Sequence, residues 1–148
     1  MAGFFILPSG LRANSPNGRL NSAHIGVGGK GSVDTAQIAA HPKTQVVALC
    51  DVDRHSLEGR GRKQNAKGKE RYPGSKKFQD YREMLATLGD KVDVVSISTP
   101  DHTHYPATMA AMKLGKHVYT QKPLTHKLAE ARELAAVSYT HLTLPTKA

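Results

Sequence analysis

The sequence predicts an α/β fold with a doubly wound parallel sheet. Short apolar runs alternate with stretches of helical periodicity, and the runs at 45–50 ("QVVALC") and 92–98 ("VDVVSIS") are nearly continuous. Continuous apolar runs are typical of strands that are buried on both faces. The first run, "SAHIGV" at 22–27, leads directly into a glycine-rich loop. Strands that alternate with helices at this spacing imply right-handed crossovers and therefore a parallel sheet.

The elements follow one another from residue 20 onward. We predict strands at 22–27, 45–50, 75–78, 92–98 and 117–120, and helices at 32–41, 81–88, 106–114 and 125–136. The second helix is the clearest, since Tyr81, Met84, Leu85 and Leu88 lie at i, i+3, i+4 and i+7. Residues 53–68 form a weak helix at best, because two glycines interrupt them.

Length and charge limit the function classes. The chain has 148 residues, enough for one domain, and a formal net charge of +9. Most of the excess lies between Arg54 and Lys77, a stretch with Tyr72 as its aromatic residue, which makes a poor stacking platform for bases. We therefore expect a solvated surface segment and no nucleic-acid partner. The alternative, nucleic-acid binding through this segment, predicts a steep dependence on salt.

The sequence offers little support for disulfides, a membrane span or a metal site. Cys50 is the single cysteine, so a disulfide framework and a cysteine zinc site are excluded. No run approaches the roughly 20 apolar residues of a membrane span. The histidines have no spacing that implies a shared ion, and we expect no metal site. These are His102, His104, His117 and His126.

The glycine-rich loop carries the strongest chemical signal. Residues 26–31, "GVGGKG", match G-x-G-x-x-G with Gly26, Gly28 and Gly31, and Gly29 lies within the motif. The first glycine permits a tight turn, the second lets the backbone approach a pyrophosphate, and the third lets helix and strand pack closely. The phosphates then meet the N-terminus of the following helix. The loop therefore predicts a dinucleotide-binding site.

An acidic residue follows the loop at the spacing that this site requires. Asp51 ends the second strand, twenty residues after Gly31. Its carboxylate can accept hydrogen bonds from both ribose hydroxyls of NAD and would repel the extra phosphate of NADP. Arg54 could instead pair with that phosphate or stack on the adenine. We predict NAD as the cofactor, with NADP as the alternative.

Two further polar segments end strands at the same edge of the sheet: "STPDHTH" at 98–104 and "TQKPLTH" at 120–126. Together with "GVGGKG" and "CDVD", they make residues 20–136 resemble the Gfo/Idh/MocA family of glucose-fructose oxidoreductases and inositol dehydrogenases. The resemblance implies a Rossmann domain with about five strands in the order 3-2-1-4-5. A larger α/β domain that shapes the sugar site would follow it, and the full-length protein would be a homo-oligomer.

The resemblance also implies roles for single residues. Thr99, Pro100 and His104 match the family's "TPxxxH" segment beside the nicotinamide half of the cofactor. Lys122 and Pro123 match the lysine and proline of its "EKP" motif. The lysine lies near the reacting carbon in the family and is the expected catalytic residue.

In the "EKP" match, Gln121 replaces the usual glutamate. The ammonium of Lys122 could polarise the substrate oxygen and help to move its proton.

Three functions remain open. The first is the cofactor-binding half of an NAD-dependent dehydrogenase of a sugar or polyol. The second is the same half of a glycosidase that uses NAD transiently, oxidising the sugar, eliminating and then reducing it back. The third is a non-catalytic dinucleotide-binding module. Since the chain holds no second domain, we expect weak or absent NAD binding and no turnover by the chain alone.

The two termini do not fit the domain pattern. Residues 1–19 resemble a leader remnant, which implies a periplasmic or secreted parent protein, or else form a flexible arm of a cytoplasmic one. Residues 137–148 begin "VSYTHLTLPT", which resembles the translation of a sequencing adapter. We expect this tail to be non-native.

Overall fold

The computed structural model describes residues 18–58 and 71–141. Residues 1–17 and 142–148 of the two expected terminal segments, and residues 59–70 of the basic stretch, therefore lie outside the described residues. The strands are β1 (Leu20–Ile25), β2 (Thr44–Cys50), β3 (Lys76–Phe78), β4 (Val94–Ile97) and β5 (His117–Thr120). The helices are α1 (Gly29–Ala39), α2 (Arg54–Leu57), α3 (Tyr81–Leu88), α4 (His104–Lys113) and α5 (Leu128–His141), and short 3-10 turns occupy Gly89–Lys91 and Asp101–Thr103.

The strands form one parallel sheet in the order β3-β2-β1-β4-β5. The predicted doubly wound fold and strand order are confirmed. In the register, Ile25 pairs with Cys50 on one side and with Ile97 on the other, while Cys50 pairs with Phe78. The carboxyl ends of β1, β2, β3 and β4 are thus level with one another, which brings the segments that follow them to one edge.

The apolar pattern explains how the sheet is buried. Neighbouring residues of β2 enter different clusters, since Ala48 and Leu49 point to opposite faces. The larger cluster packs α3 and α4 against the sheet, and Cys50 is part of it. A smaller cluster joins Leu49 to Val27 and to Leu57 of α2. Helices on both faces are what the near-continuous apolar strands predicted.

Several helix boundaries differ from the prediction, and the starts of α1 and α5 each differ by three residues. Helix α1 begins at Gly29 rather than at 32, because the N–H of Ser32 already bonds to the Gly28 carbonyl oxygen at 3.3 Å. Helix α5 begins at Leu128 rather than at 125, because Glu130 accepts hydrogen bonds from the N–H groups of His126 and Lys127 and holds them outside the first turn. It continues five residues past the expected domain boundary, and that boundary stays a prediction.

Candidate nucleotide-binding and active site

The predicted site residues follow four neighbouring strands. The glycine loop follows β1, Asp51 follows β2, Ser98 follows β4 and Gln121 follows β5. Because all the strands are parallel, these segments lie at the carboxyl edge of the sheet. The chain moves outward from β1 to β2 and β3 on one side, and then returns to build β4 and β5 on the other. Ligands of doubly wound proteins bind at this reversal point.

The glycine loop is shaped by close contacts that exclude side chains. Gly26 has φ +78°, and a Cβ atom there would lie 2.8 Å from the Ser98 carbonyl oxygen and from the Thr99 nitrogen. A Cβ atom on Gly31 would collide with the Gly26 carbonyl oxygen. The N–H of Gly26 donates to the Cys50 carbonyl oxygen at 2.8 Å, which ties the turn to β2. The turn and helix-packing roles predicted for these glycines agree with this geometry.

The N-terminus of α1 fits an anionic group. Gly28 is the N-cap, no side chain caps the first turn, and no acidic residue lies in that turn. The first N–H groups of a helix have no partner within the helix, and its dipole favours negative charge at this end. A Cβ atom on Gly28 would lie 2.6 Å from Ser56 Oγ, so a larger residue here would force the Ser56 side chain to move. A pyrophosphate is the group that such a loop accommodates.

Asp51 is bonded to the loop itself. Its Oδ2 accepts hydrogen bonds from the N–H groups of Val27 at 2.9 Å and Gly28 at 3.0 Å, and its Oδ1 accepts one from Asp53 at 3.0 Å. The sequence placed Asp51 at this edge but did not indicate these contacts. A carboxylate can accept about four hydrogen bonds and Asp51 already accepts three, so capacity for about one more, from a ribose hydroxyl, remains.

A second carboxylate and an arginine lie beside Asp51. Asp53 caps α2, and the backbone hydrogen bond from His55, together with the bonds from Ser56, holds the pKa of Asp53 below its usual range. The Nε of Arg54 donates to Gln79 Oε1 at 2.9 Å, and Gln79 Nε2 donates to the Val52 carbonyl oxygen. Gln79 is not among the residues that the sequence predicted. Its position directly after β3 was the signal that could have found it.

On the other side of β1, one polar atom lacks a partner. Thr99 Oγ1 is buried and makes no hydrogen bond to any of the described residues. Buried hydroxyl groups are normally hydrogen-bonded, so an unsatisfied one at the edge of a candidate site fits a ligand that supplies the partner. This atom lies in the "TPxxxH" segment, where the resemblance implies the nicotinamide half.

His104 joins the segments that follow β4 and β5. The ring is 2% exposed, with Nδ1 at 2.6 Å from the Pro123 carbonyl oxygen and Nε2 at 2.8 Å from the Thr99 carbonyl oxygen. Both ring nitrogens therefore face main-chain oxygens. His104 thus connects the loops that follow β4 and β5. Its position beside the cofactor stays a prediction.

The segment after β5 carries Gln121, Lys122 and Pro123. Gln121 Nε2 donates to Asp34 Oδ2 at 2.9 Å, and Gln121 Oε1 accepts from the N–H of Lys122 at 3.3 Å. Lys122 is exposed, and the bond between Lys122 and Pro123 is cis. Asp34 is not among the predicted residues either, because it lies inside a helix and no motif marks it.

The structure thus brings the predicted residues into two groups. Asp51 and Arg54 lie on the β2 side of the glycine loop, while Thr99, His104 and Gln121 lie on the β4 side. In residues 18–58 and 71–141, no group of three His, Cys, Asp or Glu side chains could hold a metal ion. Within those same ranges, no helix combines the length and apolar character needed to cross a membrane.

Comparison with known proteins adds to this geometry. A sequence profile of the family GFO_IDH_MocA, described as an oxidoreductase family with an NAD-binding Rossmann fold, matches residues 20–141. A glycosyl hydrolase family 109 protein from Streptomyces filamentosus is 33% identical over 114 residues, which cover 77% of this chain and 23% of that protein.

Two crystal structures are similar over most of the chain. Myo-inositol 2-dehydrogenase from Lactobacillus plantarum gives a TM-score of 0.71 at 27% identity, covering 83% of this chain and 34% of that one. GenD2 from gentamicin A biosynthesis, in complex with NAD, gives a TM-score of 0.68 at 28% identity, covering 83% and 32%. The chain therefore spans less than a quarter of the glycosyl hydrolase relative and about a third of these two structures.

Proposed function

The chain belongs to the GFO_IDH_MocA oxidoreductase family with its NAD-binding Rossmann fold, and on that basis we propose that it is the cofactor-binding part of an NAD-dependent sugar or polyol dehydrogenase. One observation carries the proposal. An uncapped, glycine-rich helix N-terminus lies beside a carboxylate that the same loop holds through two N–H groups. This arrangement offers positive charge to a pyrophosphate and an acceptor to the adjoining ribose.

The charges at the β2 edge support NAD over NADP. Asp51 is held in place by three backbone N–H groups, and Asp53 follows two residues later. A 2'-phosphate would therefore approach carboxylates. Arg54 could offset them, but its Nε is already bonded to Gln79. The similarity to GenD2, which is described in complex with NAD, agrees with this choice.

The similarity to myo-inositol 2-dehydrogenase supports a polyol or sugar substrate. Bound NAD would supply the hydride acceptor at its nicotinamide ring. From this chain, Lys122 would provide an ammonium or amine at Nζ that orients the substrate hydroxyl and exchanges its proton. Thr99 would offer its buried hydroxyl to the cofactor. We expect the chain alone to give no turnover, because these relatives are about two and a half times as long.

A second candidate is the cofactor-binding part of a glycosidase that oxidises its sugar, eliminates the aglycone and then reduces the product. The similarity to the Streptomyces filamentosus glycosyl hydrolase favours it. Net redox change separates the two candidates in the parent protein. NADH that accumulates with a free sugar would count against the glycosidase, and aglycone release without net NADH would count against the dehydrogenase.

The proposal can be tested on the chain itself by NMR titration, which detects weak binding. We expect NAD to shift the amide signals of Gly28, Gly29, Gly31 and Thr99, with affinity about tenfold or more above that for NADP, the scale of one discriminating charge contact. Asp51→Asn should reduce this preference.

Asp93→Asn is the matched control. Its carboxylate accepts a hydrogen bond from the N–H of Asn21 at the opposite edge of the sheet, so nucleotide binding should not change. Tighter binding of NADP than of NAD would overturn the choice of cofactor, and NAD shifts that spare the glycine loop would overturn the proposed site.

A further inference from the structure

Asp34 of α1 contacts both strand-end segments on the nicotinamide side of the candidate site, and Lys30 in its own helix. Its side chain is 4% exposed. Its Oδ1 accepts a hydrogen bond from Lys30 Nζ in the glycine loop. Its Oδ2 accepts from Ser98 Oγ, which follows β4, and from Gln121 Nε2, which follows β5, both at 2.9 Å. One buried carboxylate thus links α1 to two segments that are distant from it in sequence.

The carboxylate is charged despite its burial. Burial by itself raises the pKa of Asp34, but the hydrogen bonds from Lys30, Gln121 and Ser98, together with the positive charge of Lys30, outweigh it and lower the pKa below the ordinary value. A buried charge with fewer partners would cost free energy. The three donors therefore stabilise the buried charge of Asp34.

This contact fixes the orientation of Gln121. Because its NH₂ group donates to Asp34, its Oε1 faces away from that carboxylate and accepts the N–H of Lys122 at 3.3 Å. A glutamate at position 121 would place a second carboxylate about 3 Å from the first, the distance at which one of two carboxylates must become protonated. Asp34 therefore gives a physical reason for an amide at 121.

We propose that Asp34 is a positioning residue for Lys122, acting through Gln121, and that the acid and the amide can exchange places between positions 34 and 121. The placement of Lys122 beside the nicotinamide rests on the function proposed above. The hydrogen-bond chain from Asp34 to the Lys122 backbone is independent of that function. After an exchange, the amide introduced at position 34 would donate to the carboxylate introduced at position 121, and that carboxylate would still accept the N–H of Lys122.

The test is a cycle of Asp34→Asn, Gln121→Glu and the double variant, with Asp93→Asn as the matched control. The first readout is the backbone amide signal of Lys122 in ¹⁵N-labelled chain. We expect it to move in each single variant and to return toward the wild-type position in the double variant. The control should leave it in place. If the two residues had separate structural roles, the signal displacements of the two single variants would add in the double variant, and the signal would not return.

The second readout compares NADH with ADP-ribose, which lacks the nicotinamide. A positioning role predicts that each single variant lowers the affinity for NADH relative to ADP-ribose by roughly three- to tenfold, the range of coupling between contacting residues. The double variant should restore the ratio. A change in the folded fraction alone would lower both affinities in parallel.

The outcomes separate the two proposals. An unchanged Lys122 amide in folded single variants, or a double variant displaced as far as the sum of the singles, would overturn the positioning role. If the wild-type chain binds neither ligand, the amide signal alone decides the role of Asp34. Tighter binding of NADP than of NAD would count against the function proposed above and would leave the amide readout unaffected.

If the single variants do not fold, Ser98→Ala removes one donor and keeps the charge. It should then move the Lys122 amide away from its wild-type position, and an unchanged signal would count against the proposal.

Discussion

His24 is a buried histidine at the centre of the sheet. It is 1% exposed, its Nε2 lies 3.0 Å from Ser22 Oγ, and its Nδ1 has no hydrogen-bond partner among the described residues. Burial lowers the pKa of His24 from 6.5 to about 4. The folded chain therefore holds this ring neutral at a pH where the unfolded chain protonates it.

We predict that this difference destabilises the chain in weak acid. Between pH 6.5 and 4 the unfolded state binds the additional proton, so the free energy of unfolding falls as the pH drops, by up to about 3 kcal/mol from this residue. Urea unfolding at several pH values measures the slope, and His24→Gln should flatten it. A His24 ring signal that titrates near pH 6.5 in the folded chain would contradict the prediction.

For single residues, the sequence predicts those whose role follows from their spacing within a motif. The conformation and packing found at Gly26 and Gly31 agree with the motif, and Asp51 lies at the predicted strand end. Asp34 and Gln79 could not be predicted, because their contacts depend on how helices and strand ends meet across more than twenty residues of sequence. The cofactor and catalytic roles of the predicted residues stay predictions.

Among the elements, α5 is held against α4 mainly by a small apolar cluster. Leu134 is 4% exposed and forms a cluster with Met109 and Met112. The Tyr105 hydroxyl also donates to Glu133 across the same pair of helices, and that contact raises the pKa of Tyr105. Packing rather than intrinsic propensity therefore holds α5 in place.

We predict that Leu134→Ala lowers the free energy of unfolding by about 2 to 5 kcal/mol, through lost burial and a residual cavity. Leu128→Ala makes the same change at a position that is 68% exposed in the same helix, and it should cost less than about 0.5 kcal/mol. Urea denaturation followed by circular dichroism compares the two. Equal losses would show that α5 is not anchored through Leu134.

The sequence predicts which strands and helices form better than it predicts the residues at which they begin and end. All five strands and the helices α1, α3, α4 and α5 form where the apolar pattern predicts them. The starts of α1 and α5 differ because the hydrogen bond that the Ser32 N–H donates and those that Glu130 accepts decide them, and the apolar pattern does not contain that information. Helix α2 is a single turn that Asp53 caps, which agrees with the weak helix predicted there.

At the scale of the whole molecule, the feature that most affects association between chains is the edge of β5 that no described strand covers. Within the described part of the chain, β5 pairs with β4 alone, and Tyr119, Leu124 and Leu128 are about half exposed or more. An unpaired strand edge next to apolar side chains favours association with other chains.

We predict that the chain self-associates as its concentration rises and that Tyr119→Lys weakens this association, because a lysine on an edge strand opposes pairing. Val33→Lys is the matched control, since it adds the same charge at an exposed apolar residue of α1. Sedimentation velocity over a concentration series measures the effect. Equal behaviour of the two variants would mean that the net charge, rather than the β5 edge, governs association.

The burial of Cys50 makes the chain easy to label at a chosen point. Burial, with the nearby carboxylates of Asp51, Asp80 and Glu83, raises the pKa of this single cysteine to about 12, so it contains little of the reactive thiolate at neutral pH. A cysteine introduced at exposed Lys43, at the start of β2 and opposite the candidate site, would be the reactive thiol. A fluorophore or surface attached there would leave the carboxyl edge of the sheet facing the solution, ready for nucleotide titrations.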